Sequence, residues 1–224
     1  MHCTRKSLLF MGFLSGLLGA CQFHEGGPVH HEDLVIDQVP EALAVDVGSG
    51  DVAIFGADVS SVNVTARIRG ATNHVGFDLD QGRLTLFDDC HEDACSVDLS
   101  VVLPANATLT LETGSGDVRL ENMQSAVVLK TGSGDVVGYQ LGGLSFSAET
   151  GSGDVAFDVL PQADRVHLRT GSGDVALTVP SGSYRIAVST GSGDRRVRGV
   201  SDDDSAASAI DVTTGSGDVS IQGR

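Results

Sequence analysis

The chain has 224 residues, with 30 acidic against 14 basic side chains and a formal net charge of −16. A charge of that sign and size repels nucleic acid and anionic lipid headgroups, so neutral glycans, cations or proteins are the expected partners. Tryptophan is absent and aromatics make up 4% of the residues, whereas glycine occurs 29 times; a core must come from Val, Leu and Ile between frequent turns.

Residues 1–20 read as an export signal. Arg5 and Lys6 form a short basic region, and Leu8 to Leu18 an apolar stretch too short to span a bilayer. Leu18-Gly19-Ala20-Cys21 resembles the lipobox of bacterial lipoproteins, which implies cleavage before Cys21 and acylation of its thiol. An ordinary secretory signal cut nearby is the alternative, and both place the mature chain outside the cytoplasm. Gln22 follows the cysteine, which by the same resemblance implies the outer membrane in a cell with two membranes. Losing Arg5 and Lys6, with no acid, moves the charge from −16 to −18. Residues 21–33 are expected to form a flexible tether whose His24, His30 and His31 are solvated or bind a metal weakly. Residues 34–224 are expected to form one domain.

Gly-Ser-Gly-Asp occurs seven times, beginning at Gly48, Gly114, Gly132, Gly151, Gly171, Gly191 and Gly215. The last six copies are separated by 18, 19, 20, 20 and 24 residues, the period of one structural unit stacked on itself. Five residues before each first glycine stand Leu43, Leu109, Val127, Phe146, Val166, Ile186 and Ile210. Three before it stand Val45, Leu111, Leu129, Ala148, Leu168, Val188 and Val212. Polar or small residues alternate with them, and the alternation resumes after the aspartate, as at Val118 and Leu120. Each unit is therefore strand, corner, strand.

Units that recur in step predict a right-handed parallel β-solenoid with coils of about 20 residues, apolar columns inside and a length on the order of 40 Å. A β-sandwich or propeller is the alternative. Regular coils cover 109–224. Over 34–108 the motif lapses between Gly48 and Gly114, and alternation alone predicts degenerate coils, about three of them in the gap. Within that stretch lies Cys90-His-Glu-Asp-Ala-Cys95, which most simply closes a disulfide loop in an oxidising compartment. A metal site using these cysteines with His91 and Glu92 or Asp93 is the rival. The chain ends at Gln222-Gly223-Arg224 with no capping segment, so an open solenoid end available for end-to-end self-association is expected.

The corner itself has a structural explanation at every position. Glycine permits positive φ or close approach, while Ser, Asp and the preceding Thr can bond nearby backbone. The functional alternative is a Ca²⁺-binding ladder of Asp117, Asp135, Asp154, Asp174, Asp194 and Asp218, one carboxylate per coil. The motif is neither a phosphate-binding loop nor a nucleophile elbow, and no serine has a single histidine base; no cofactor is implied. A polysaccharide-active enzyme would need clustered acids, which one identical Asp per coil does not supply.

The repeated Thr-Gly-Ser-Gly-Asp-Val, together with Val101-Val102-Leu103-Pro104-Ala105 ahead of the regular repeats, resembles the bacterial putative-adhesin family of β-strand-repeat proteins. The resemblance covers about residues 34–224. It implies a right-handed β-solenoid at the cell envelope and no catalytic residues. The expected protein is thus a lipid-anchored, non-enzymatic module that binds, adheres or scaffolds, with an envelope protein or a glycan as partner.

Overall fold

The computed structural model describes residues 28–70, 74–89, 95–160 and 163–224. The signal, Cys21 and Cys90 lie outside these residues, as do His91, Glu92 and Asp93.

The described residues form an all-β solenoid. The chain begins with β1 (Val29–Ile36), then β2 (Ala42–Ser49) and β3 (Val52–Ala57) around the first corner. Four strands without the motif follow: β4 (Val62–Arg69), β5 (Val75–Asp80), β6 (Arg83–Asp88) and β7 (Ser96–Pro104). Corner-flanking pairs come next: β8 (Thr108–Ser115) and β9 (Val118–Glu121), β10 (Val127–Ser133) and β11 (Val136–Leu141), β12 (Ser145–Ser152) and β13 (Val155–Val159), β14 (Arg165–Ser172) and β15 (Val175–Val179), β16 (Ser183–Ser192) and β17 (Arg195–Arg198). The short β18 (Ser201–Asp202) precedes the last pair, β19 (Ala209–Ser216) and β20 (Val219–Gly223).

Every strand before a corner joins one ten-stranded sheet and every strand after it joins the other, so each corner carries the chain between two facing sheets. The apolar columns read from the sequence are the register of the ladder. Leu109 pairs with Val127, Val127 with Phe146, Phe146 with Val166 and Val166 with Ile210. Their inward faces form one continuous core from Ile36 to Ile221. Where Gly138 interrupts its column, the Phe157 ring of the next coil fills the space and meets Phe146 edge-on at 6.4 Å. Outside, Glu112, Lys130, Glu149 and Arg169 occupy one row with alternating sign, which favours this register over a slipped one.

The coils do not stack in chain order. Spatially they run β6/β7, β2/β3, β8/β9, β10/β11, β12/β13, β14/β15, β19/β20 and β16/β17. Near the C-terminus the chain steps over one position to lay down β16/β17, and β19/β20 then fills the gap. The open end expected at the terminal strand is displaced: β20 is paired on both sides, with β15 and β17, and the outer coil β16/β17 forms that end of the stack. Arg224 is pinned as well. Its N–H donates to the Val179 carbonyl at 3.0 Å, its carbonyl accepts from the Ser181 N–H and hydroxyl, and its guanidinium meets Asp158. The outermost strand of that sheet is β17, whose Arg195, Arg196 and Arg198 put charge on the edge.

The degenerate stretch also differs from three parallel coils. Among the described residues of this stretch, β6/β7 alone forms a coil, pairing in parallel with β2 and β3. β6 ends at Asp88 and β7 begins at Ser96, with the Cys90–Cys95 sequence between them. Around this coil, β4 pairs antiparallel with β7, β1 with β4, and β5 with β6, capping the stack. The tether expected over 21–33 is overtaken from Val29 by β1. His30, Glu32 and Leu34 alternate inward there while His31, Asp33 and Val35 face out, the pattern of a half-covered edge strand.

Candidate functional site

The corners stack as a continuous edge. At Gly134 (φ +132°) a Cβ would stand 2.1 Å from the Gly116 carbonyl oxygen, and at Gly132 one would stand 2.5 Å from the Gly114 carbonyl oxygen. Both glycines are thus required by the approach of neighbouring coils, and the second also by its left-handed φ. The threonine before the motif is buried in the regular inner coils. Its hydroxyl donates across to a glycine carbonyl of the adjacent coil, as from Thr170 to Gly153 at 2.9 Å and Thr214 to Gly173 at 2.9 Å.

The aspartates do one specific job. Each corner leaves the Asp N–H outside the backbone ladder, and the carboxylate of the neighbouring coil accepts it. The chain of bonds runs from Asp117 to Asp51 (2.9 Å), Asp135 to Asp117 (2.9 Å), Asp154 to Asp135 (2.8 Å), Asp174 to Asp154 (2.7 Å), Asp218 to Asp174 (2.7 Å) and Asp194 to Asp218 (2.8 Å). Asp98 extends it by accepting from the Asp51 N–H at 3.2 Å, and so stands in for a corner aspartate beside the cysteine segment. Asp154→Ala should lower stability by about 1 kcal/mol by orphaning the Asp174 N–H, whereas Asp154→Asn, which keeps the acceptor, should be close to neutral in thermal melts.

The calcium reading concerns the same ladder. Among the described residues, no three carboxylates of the column bring oxygens within 4.8 Å of one another. Calcium takes six to eight oxygen ligands. Melting temperatures with Ca²⁺ and with a chelator should therefore coincide; a higher value with the ion would restore the ladder as a calcium site.

Two further groupings come from the fold and not from neighbouring sequence. The first is a recess of about 510 Å³ on the outer face of β3, β4, β7 and β9. Short Ala53 and Ser100 lie side by side in its floor. Its walls carry Asp51, Thr65, Arg67, Asp98 and Arg119; Arg67 pairs with Asp98 at 2.9 Å, and the Arg119 guanidinium lies 5.1 Å over the Tyr139 ring while engaging Glu121. The second joins His30 and Glu32 of β1 to His74, just before β5. Glu32 Oε1 lies 2.5 Å from His74 Nδ1 and 3.8 Å from His30 Nε2. Burial raises the Glu32 pKa, but the hydrogen bonds from His74 and from the Val75 N–H, with the histidine charges, hold it below the ordinary value. The Glu32 hydrogen bond and charge push His74 up. The sequence offered no signal for this group beyond the histidines of the supposed tether.

Serine, histidine and aspartate also meet in one row: Ser147 pairs with His167, and His167 with Asp211, whose carboxylate is 3.6 Å from Nδ1. No hydrogen bond joins Ser147 to His167, and the strand N–H groups around the row are committed to the parallel ladder, leaving no donor pair for an oxyanion. The row lacks the parts of an acyl-transfer site. Cys95 keeps its carbonyl on the Ser49 hydroxyl at 2.9 Å, but its expected partner Cys90 lies outside the described residues.

Among curated proteins none matches the chain. A solved structure of a putative cell adhesion protein from Clostridium sporogenes is 12% identical, with a TM-score of 0.54, covering 88% of this chain and 100% of its own. A putative adhesin from Bacteroides fragilis is 13% identical, with a TM-score of 0.53, covering 87% of this chain and 97% of its own. At these identities the likeness is one of fold. Residues 38–222 match the Toastrack DUF4097 family model, and the chain belongs to that family.

Proposed function

We propose that this protein is a non-enzymatic binding module of the cell envelope, tethered through lipid on Cys21 and braced by a Cys90–Cys95 disulfide, and that its partner is a glycan. The recess over β3, β4, β7 and β9 carries this reading. Asp51, Asp98, Thr65, Arg67 and Arg119 border a mostly apolar surface around Ala53 and Ser100, a combination that suits the carbon face of a sugar with its hydroxyls at the rim. The adhesion names of two proteins of the same fold support a binding role. The strongly acidic surface favours a neutral saccharide over an acidic one.

The test is a panel of neutral and acidic glycans and envelope proteins presented to the purified chain. Arg67→Ala and Arg119→Ala should each weaken glycan capture about tenfold without changing the fold, since both are exposed. Glycan capture unaffected by either substitution would remove the recess from the account; capture of protein alone would replace the glycan. Cys21→Ala should move the chain from the membrane fraction to the soluble one, and its retention with membranes would refute the lipid tether.

A further inference from the structure

We propose that His30, Glu32 and His74 form a binding site for a divalent transition-metal ion of the zinc type, which clasps the two sheets together at the N-terminal end of the solenoid.

The site is a product of topology. β1 is the outermost strand of one sheet and β5 the outermost strand of the other, so no backbone ladder joins them. His30 and Glu32 are two residues apart on β1 and therefore share its inward face. His74 reaches them from the residue before β5, 42 positions away from Glu32. One ligand atom from each of the three lies within 4.8 Å of the others. A tetrahedral ion bonded at 2.0–2.1 Å needs donor atoms about 3.3 Å apart, which small side-chain rotations supply here.

The supporting contacts hold the donors in place. Glu32 Oε2 accepts the Val75 N–H at 3.1 Å, leaving Oε1 aimed at the imidazoles. The His74 N–H donates to Asp89 Oδ1 at 2.7 Å, which fixes the start of β5. The His30 and His74 rings stand edge to face, with centroids 6.0 Å apart. Two imidazole nitrogens with one carboxylate suit Zn²⁺, Co²⁺, Ni²⁺ or Cu²⁺ and are a poor set for Ca²⁺ or Mg²⁺, which take oxygen. His74 is 68% exposed, so solvent can complete the coordination. The ion would replace a hydrogen bond between two edge strands with coordinate bonds, and so tie β1 to the start of β5, close to where the chain passes from β4 in one sheet to β5 in the other.

The full-length chain, purified in detergent and stripped with chelator, should bind one Zn²⁺ by calorimetry and give a Co²⁺ absorption band displaced by Zn²⁺. His30→Ala, His74→Gln and Glu32→Gln should each weaken binding by tenfold or more. His74→Gln retains a donor for Glu32 and so separates loss of the ion from loss of the fold. His31→Ala, on the opposite face of β1, should bind as the parent does. Zn²⁺ should also slow amide hydrogen exchange in β1 of the parent and leave His74→Gln unchanged. Affinity untouched by His74→Gln, equal loss in His31→Ala, or no slowing of exchange in β1 would overturn the proposal and leave a plain histidine–glutamate ion pair.

Discussion

Gly134→Ala is expected to cost about 3–5 kcal/mol and to lower the melting temperature by roughly 10 °C. Two independent effects combine there. The residue sits at φ +132°, a region that side-chain-bearing residues avoid, and the new methyl would stand 2.1 Å from the Gly116 carbonyl oxygen. That oxygen belongs to backbone locked in the adjacent coil, so it cannot move aside as a flexible side chain would. The exposed neighbour Ser133→Ala supplies the control and should change stability by less than about 0.5 kcal/mol. Equilibrium denaturation of the two variants checks this. A mild Gly134→Ala would mean that the corners are not in contact, and the stacked edge would have to be abandoned.

The second large effect distinguishes the order of the last two coils. Ile186 and Ile210 occupy the same column, five residues before their corners, and pair directly with one another. Ile210 lies in the inner coil, flanked by β14 and β16, and is 1% exposed, whereas Ile186 lies in the outer coil and is only partly buried. Ile210→Ala should therefore cost about 2–5 kcal/mol, and Ile186→Ala about 1 kcal/mol. If the coils followed chain order, Ile186 would be the inner residue and the ranking would reverse. Chemical denaturation of both variants, with the slope checked for constancy, decides between these orders.

What could be read from the sequence follows from what repetition reports. The apolar columns and the Thr-Gly-Ser-Gly-Asp corner were visible because every coil places the same residue at the same height, and the ladder registers reproduce those columns. The interchange of β16/β17 with β19/β20 was not visible, since two units with the same motif and register are interchangeable to any periodicity. A hint did exist: Arg195 replaces the valine that follows the other corners, which suits an outermost coil and not an inner one. The aspartates were read as local turn-formers, yet their acceptors serve the neighbouring coil, 18 to 66 residues away. β1 was read as part of a tether because His-His-Glu-Asp is polar. Its alternation shows only when one face is known to meet the core. His30, Glu32 and His74 could not be joined on paper, because only the antiparallel cap brings β1 and β5 to the same end.

The central claim is that the repeat is a structural corner stacked in register, with the C-terminal coil inserted inside the stack. Paired cysteines at exposed corner serines test it most directly. Ser172 pairs with Ser216, and Ser216 with Ser192. Neighbouring strands stand about 4.8 Å apart, within the Cα separation a disulfide accepts, while Ser172 and Ser192 are two strands apart and beyond it. Mild oxidation, followed by mass analysis of the linked peptides, should show the bond in Ser172→Cys/Ser216→Cys and none in Ser172→Cys/Ser192→Cys. A bond in the second pair and none in the first would contradict the account.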